Sequence, residues 1–219
     1  MIALALCACL APMARTSYIR PKASAEFGGG PLILKSVIAE HDTLSFWDVR
    51  FERAIYLGMQ GYLRIGYGFS QHFGIDATLN IVACAPVFYE GDNDLTGFYG
   101  ISFGPKWRPW QRNDLFTLEL ATGGFLNLGW VHGWPAYDNE HFSAWLALGN
   151  TLPNWIAGMD SNKEFWKHAV PSMFSLSIAR NYYLSTRRLS PNLSIAFIYD
   201  WEQKEIDLGS LIIGLVYRP

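Results

Sequence analysis

The chain has 219 residues, enough for one domain, and 17 basic against 19 acidic side chains leave a net charge of −2. That balance excludes binding to nucleic acid or anionic lipid through bulk positive charge. Charged residues make up 16% of the chain, fewer than a soluble surface usually carries, and after residue 14 no apolar run approaches the ~18 residues of a membrane-spanning helix.

The first stretch, MIALALCACLAPMA, is short and apolar like the central region of a secretory signal, although no Lys or Arg precedes it. Cleavage is expected after Ala14 or at Ala23-Ser24-Ala25, so residues 1–25 read as a signal segment. Leu6-Cys7-Ala8-Cys9 also has the form of a lipoprotein box with Cys9 as the acylated residue, and a buried N-terminal element is a third reading. Residues 26–44, entered through Gly28-Gly29-Gly30, read as a linker, a plug or an extra strand. Only Cys84 lies beyond this region, so no internal disulfide is expected.

From residue 45 onward the chain reads as β-structure. Residues 45–53, SFWDVRFER, fit a first strand, and from about residue 57 period-two alternation dominates. Leu63, Ile65, Tyr67 and Phe69 share one face against Arg64, Gly66, Gly68 and Ser70; Phe73, Ile75, Ala77, Leu79 and Ile81 then alternate with Gly74, Asp76, Thr78 and Asn80. A three-residue loop, Ser70-Gln71-His72, puts both apolar sets on one side, with Phe69 opposite Phe73 and Arg64 opposite Thr78. The pattern repeats in strands starting near residues 98, 115, 141, 170, 192 and 207. Polar stretches such as EGDND, RPWQRND, HGWPAYDNE, STRRLSPN and EQKE separate them. Eight strands are evident. Eight alone would put long connections on the side where membrane barrels keep short turns; a strand at 45–53 and another within 151–166 make ten, with eight and twelve as alternatives.

The character of the two faces decides the architecture. A soluble sandwich or lipocalin-like binder would cover its outer face with Lys and Glu. Here the second face is Gly, Ser, Ala, Thr and Asn with single charges, which suits a narrow polar interior. Arg64, Asp76, Lys106, Glu119, Arg180 and Asp200 are expected to point inward, as ion pairs closing the barrel or as the lining of a narrow aqueous path. Aromatic residues gather near strand ends. Phe69, Phe73, Trp107, Trp110, Trp130, Tyr199, Trp201 and Tyr217 are expected in the interfacial girdles of a membrane barrel.

Residues 63–77 (LRIGYGFSQHFGIDA), 100–107 (GISFGPKW) and 213–218 (IGLVYR) resemble the small outer-membrane β-barrel proteins of Gram-negative bacteria. The resemblance covers roughly residues 57–219. It implies an all-β, antiparallel transmembrane barrel of about ten strands over residues 45–219, placed in the bacterial outer membrane. It also implies outer-membrane lipid, lipopolysaccharide and the insertion machinery as partners. Where the family usually ends in an aromatic residue, this chain runs Tyr217-Arg218-Pro219. The role expected is structural, surface-interacting or that of a small channel.

An enzymatic alternative rests on His141-Phe142-Ser143. It is similar to the His-x-Ser element of outer-membrane lipid A deacylases, with Ala144 where that family has Asn. Parity puts His141 and Ser143 toward the interior. No histidine spacing suggests a metal site and no glycine pattern suggests a nucleotide site, so no cofactor is expected; Asp92-Asn93-Asp94 reads as a solvated turn.

Overall fold

The computed structural model describes residue 19 and residues 22–35, 55–88, 96–109, 113–121, 125–134, 141–151, 171–185, 187–201 and 204–218. The strands are β1 (Lys22–Lys35), β2 (Ile55–Gly68), β3 (Phe73–Phe88), β4 (Thr96–Trp107), β5 (Asp114–Ala121) and β6 (Phe125–Gly133). They continue as β7 (Phe142–Thr151), β8 (Met173–Arg180), β9 (Tyr182–Leu184), β10 (Arg187–Asp200) and β11 (Glu205–Arg218). Each pairs antiparallel with its neighbour, and β11 pairs with both β10 and β1, so the sheet closes on itself with no free edge. The short β9 runs on from β8 against the start of β10, after Asn181 donates its backbone N–H to the His141 carbonyl at 2.7 Å. The result is a closed antiparallel barrel of ten strands with one extra strand segment.

The β2–β3 hairpin has the register that alternation requires: Arg64 faces Thr78 and Tyr67 faces Ile75. Its turn is held by the Ser70 hydroxyl, which accepts the backbone N–H groups of His72 and Phe73, each at 3.1 Å. Large apolar residues point outward all round the wall. Ile65 is 58% exposed and Ile213 is 65% exposed, whereas Glu119 is 1% exposed. A soluble protein has the reverse arrangement.

The count of ten is reached by a different route from the one expected. Residues 45–53 and 152–166 lie outside the described residues. The two strands beyond the eight evident ones are β1 and β6 instead. The run from Phe116 to Trp130, which reads as one strand by parity, folds back after Ala121, and Ala121 pairs with Phe125. Three intervening residues leave even-numbered residues outward on both arms, so alternation alone does not register the reversal. The wall also begins at Lys22 rather than at residue 45, and Ala23-Ser24-Ala25 lies within β1. The Gly28-Gly29-Gly30 run sits mid-strand, where a Cβ on Gly28 would stand 2.8 Å from the Tyr62 ring and 2.9 Å from Gly214. Glycine there lets the Tyr62 ring lie across the inner wall.

Both ends of the wall, Lys22 and Arg218, emerge at one rim, here the terminal rim, together with the turn at 69–72 and the strand ends joined by 108–113, 134–141 and 185–186. The connections 36–54, 89–95, 122–124, 152–172 and 201–204 leave the opposite, distal rim. The two longest connections, 36–54 and 152–172, thus share one side, and the turn at 69–72 shares the side of the termini.

Candidate functional site

The barrel interior is where chemistry-bearing side chains converge. Near the β1–β3 wall, Arg64 Nη1 lies 3.3 Å from Glu26 Oε2, and Arg64 Nε donates to Thr78 Oγ1 at 3.0 Å. The Tyr62 hydroxyl donates to Glu26 Oε1 at 3.1 Å, so the carboxylate is held by both neighbours. One strand further, Lys106 Nζ stands 3.5 Å from Asp76 Oδ2. All four charges are buried, and a buried charge is tolerated only when it is paired and hydrogen-bonded. Glu119, also buried, lines a small cavity with Thr117, Asn127, Gly129 and Gly149.

A second network occupies the β7–β10 sector at the terminal rim. Arg188 Nη2 and Asn181 Nδ2 donate to Ser143 Oγ at 2.7 and 2.9 Å, Arg188 Nε donates to Ser190 Oγ at 3.2 Å, and Ser190 Oγ donates to Asn181 Oδ1 at 2.9 Å. Further up the same wall, Ser177 and Ser194 share a hydrogen bond of 2.6 Å. Toward the distal rim the inward side chains become apolar: Leu32, Leu34, Tyr56, Val82, Ile198 and Leu208 are buried there.

Of the residues expected inside, Arg64, Asp76, Lys106 and Glu119 are buried in the interior. Arg180 is not: it is exposed on the outer face, its guanidinium 5.9 Å from the Phe142 ring centre and 5.4 Å from that of Tyr182. The correction follows from parity, since Arg180 shares the outward register of Leu176 and Ile178. At the strand end its long side chain can reach the headgroup region. Asp200 is the last residue of β10, paired with Glu205, and its side chain lies outside the described residues.

The expected girdle residues divide between the rims. Phe69, Phe73 and Trp107 are exposed at the terminal rim, with half-buried Trp130 and Tyr217 toward the same end. Trp107 packs on Phe116, and Trp130 stacks on His132. Tyr199 and Trp201 meet edge to face at the distal rim, where the Trp201 indole donates to the Pro171 carbonyl at 2.9 Å. Trp110 and the Asp92-Asn93-Asp94 turn lie outside the described residues.

His141 and Ser143 differ in exposure. Ser143 is buried with two donors on its hydroxyl oxygen, while His141 precedes β7 and is exposed. Not among the expected interior charges are Glu26, in the stretch read as a linker, a plug or an extra strand, and Arg188, in a stretch read as a turn. Arg188 had a signal, because Arg188, Ser190 and Asn192 extend the parity of the following strand back by four residues.

A closed antiparallel barrel with an apolar outside, aromatic rims and a polar inside is a transmembrane β-barrel of the outer-membrane type. The chain therefore has the fold of an outer-membrane β-barrel. Solved structures similar to it include Ail, the attachment invasion locus protein of Yersinia pestis, at 8% identity and a TM-score of 0.33, covering 91% of this chain and 99% of that one. An outer membrane channel from Pseudomonas putida F1 is 10% identical with a TM-score of 0.42, covering 91% and 95%. The outer membrane protein OprG of Pseudomonas aeruginosa is 8% identical with a TM-score of 0.26, covering 90% and 93%. No protein-family model and no curated protein sequence matches the chain.

Proposed function

We propose that the protein is a closed outer-membrane scaffold, a rigid barrel whose work is done at its distal rim rather than through its lumen. The burial of the interior charges carries this reading. Glu26, Arg64, Asp76, Lys106, Glu119 and Arg188 are all at most 8% exposed, whereas the lining of an aqueous path has to meet water. Ser102, Ser177, Ser194 and Ala196, on the same inner wall, are 0% exposed. Two cross-strand ion pairs and a four-residue polar network fill the section instead, as side chains do in barrels of about this size. On this reading its partners are outer-membrane lipid, lipopolysaccharide and the insertion machinery.

Planar-bilayer recording of the detergent-extracted, heat-modifiable protein tests the proposal. A silent barrel at low voltage is the expected result. Reproducible ohmic steps from the unmodified protein would overturn it in favour of a small channel.

A further inference from the structure

Arg180 is the one basic residue of β8, and it faces out of the barrel. It follows the exposed Leu176 and Ile178 on the outer face of β8 and precedes the exposed Tyr182 of β9. Tyr182 pairs with Leu189 of β10. Between Leu189 and Tyr199, β10 rises about 25 Å at a strand tilt of about 40°, the height of a barrel's apolar band. Tyr182 and Tyr199 thus mark the two edges of that band on this side of the wall, and the Arg180 backbone lies just inside the terminal edge. Its guanidinium lies over two rings: Phe142, opposite on β7, at 5.9 Å from the ring centre, and Tyr182, one step nearer the rim, at 5.4 Å. Two aromatic faces hold the cation at the level where lipid headgroups begin.

The wall around it has the polarity of a lipid molecule. Toward the rim Arg187, exposed and alternating with buried Arg188, adds a second outward cation. The described outward side chains of β8, β9 and β10 include no carboxylate. Toward mid-wall Ile178 pairs with Leu193 and Leu176 with Ile195, and Phe174 then stacks on Phe197 with ring centres 5.0 Å apart. An apolar track leading up to a fixed cation complements an amphiphile with an anionic head, and a guanidinium presents a planar fork that matches phosphate oxygens. The terminal rim, with both strand termini and the tight turn at 69–72, is the periplasmic side, where the leaflet is glycerophospholipid. From this we infer that Arg180, with Phe142 and Tyr182, binds the phosphate of a glycerophospholipid in the leaflet at the terminal rim. The inference rests on the outer-membrane reading and names one lipid contact of the scaffold; it does not depend on whether the lumen conducts.

Lipid retention by the folded, full-length protein tests it. Extracted in mild detergent, the protein is expected to carry a glycerophospholipid visible by native mass spectrometry. After delipidation it is expected to rebind phosphatidylglycerol but not diacylglycerol, which has the same chains and no phosphate. Arg180→Gln is expected to weaken retention about tenfold or more, as loss of a charge-assisted hydrogen bond does. Arg180→Lys keeps the charge without the fork and is expected to fall in between. Lys204→Gln at the distal rim is expected to leave retention unchanged.

Equal retention by Arg180→Gln and the parent would overturn the site. So would equal binding of diacylglycerol, or lipid A rather than glycerophospholipid as the species lost from Arg180→Gln. If Arg180→Gln does not reach the heat-modifiable form, Arg180→Lys decides by the same measurement. Ohmic steps from the parent would overturn the closed-scaffold reading alone and leave the lipid result standing.

Discussion

Glu26 and Arg64, 38 residues apart in sequence, meet 3.3 Å apart inside the barrel, across the β1–β2 ladder in which they are direct partners. Each is the other's means of being buried. Replacing Glu26 with Ala leaves the guanidinium in the interior without that carboxylate, and is expected to cost about 3–5 kcal/mol. The temperature at which the folded band is lost on a heating gel reads the change. Glu26→Gln combined with Arg64→Met is expected to cost less than the two single changes summed, because neither partner is left as a stranded charge.

Glycine positions on the wall divide sharply. A Cβ at Gly104 would lie 1.9 Å from the Leu118 carbonyl oxygen and 2.8 Å from Glu119 Cα, both backbone atoms of the neighbouring strand. At Gly209 nothing lies within 4 Å. Gly104→Ala is therefore expected to destabilise the barrel by about 1–3 kcal/mol or more, as overpacking does. Gly209→Ala is expected to stay within about 0.5 kcal/mol of the parent. Denaturant midpoints in detergent, measured side by side, provide the check; equal effects at both positions would contradict the close approach of β4 and β5.

Outward apolar residues make the membrane assignment testable by one charge. Leu63, near the middle of β2, is exposed on the outer wall. Leu63→Arg is expected to cost about 2–4 kcal/mol if it meets the hydrocarbon midplane. Loss of the heat-modifiable form from outer-membrane fractions reports that cost. Arg180 shows that the same residue type is accommodated at the rim, beside Phe142 and Tyr182. An unaffected Leu63→Arg protein would argue that this face is wet.

The rims predict an orientation. Both strand termini and the tight turn at 69–72 share one side, opposite the two longest connections, and place that side in the periplasm. Lys204, exposed at the distal rim, and Gln71, exposed at the terminal rim, provide the two probes, with native Cys84 buried. On intact cells a membrane-impermeant thiol reagent is expected to label Lys204→Cys and leave Gln71→Cys untouched until the cells are opened. The reverse pattern would invert the barrel.

Much of this architecture was legible because a strand has only two faces. Alternation at residues 63–81 set which side chains point outward and, with an odd turn, the β2–β3 register. The same property concealed the reversal between β5 and β6, since an odd turn preserves parity. Arg180 was misplaced by ignoring parity in favour of its charge. Glu26 lies beside Gly28, Gly29 and Gly30, which read equally as a linker, a plug or a strand until Tyr62 and Gly214 are seen to leave no room for a side chain at Gly28.

By itself, then, the sequence determined the class: low charge, no apolar helix, and period-two strands with bulky residues on one face and small polar ones on the other admit few folds besides a membrane barrel. Those are local properties, written in neighbouring residues. Only the tertiary structure decided that β1 closes the wall against β11, that Glu26 rather than another carboxylate meets Arg64, and that Ile19 is buried in one cluster with Leu115, Val131 and Trp145. Partnership across a barrel depends on which strands become neighbours and in what register, and closure links residues from opposite ends of the chain that no local period connects.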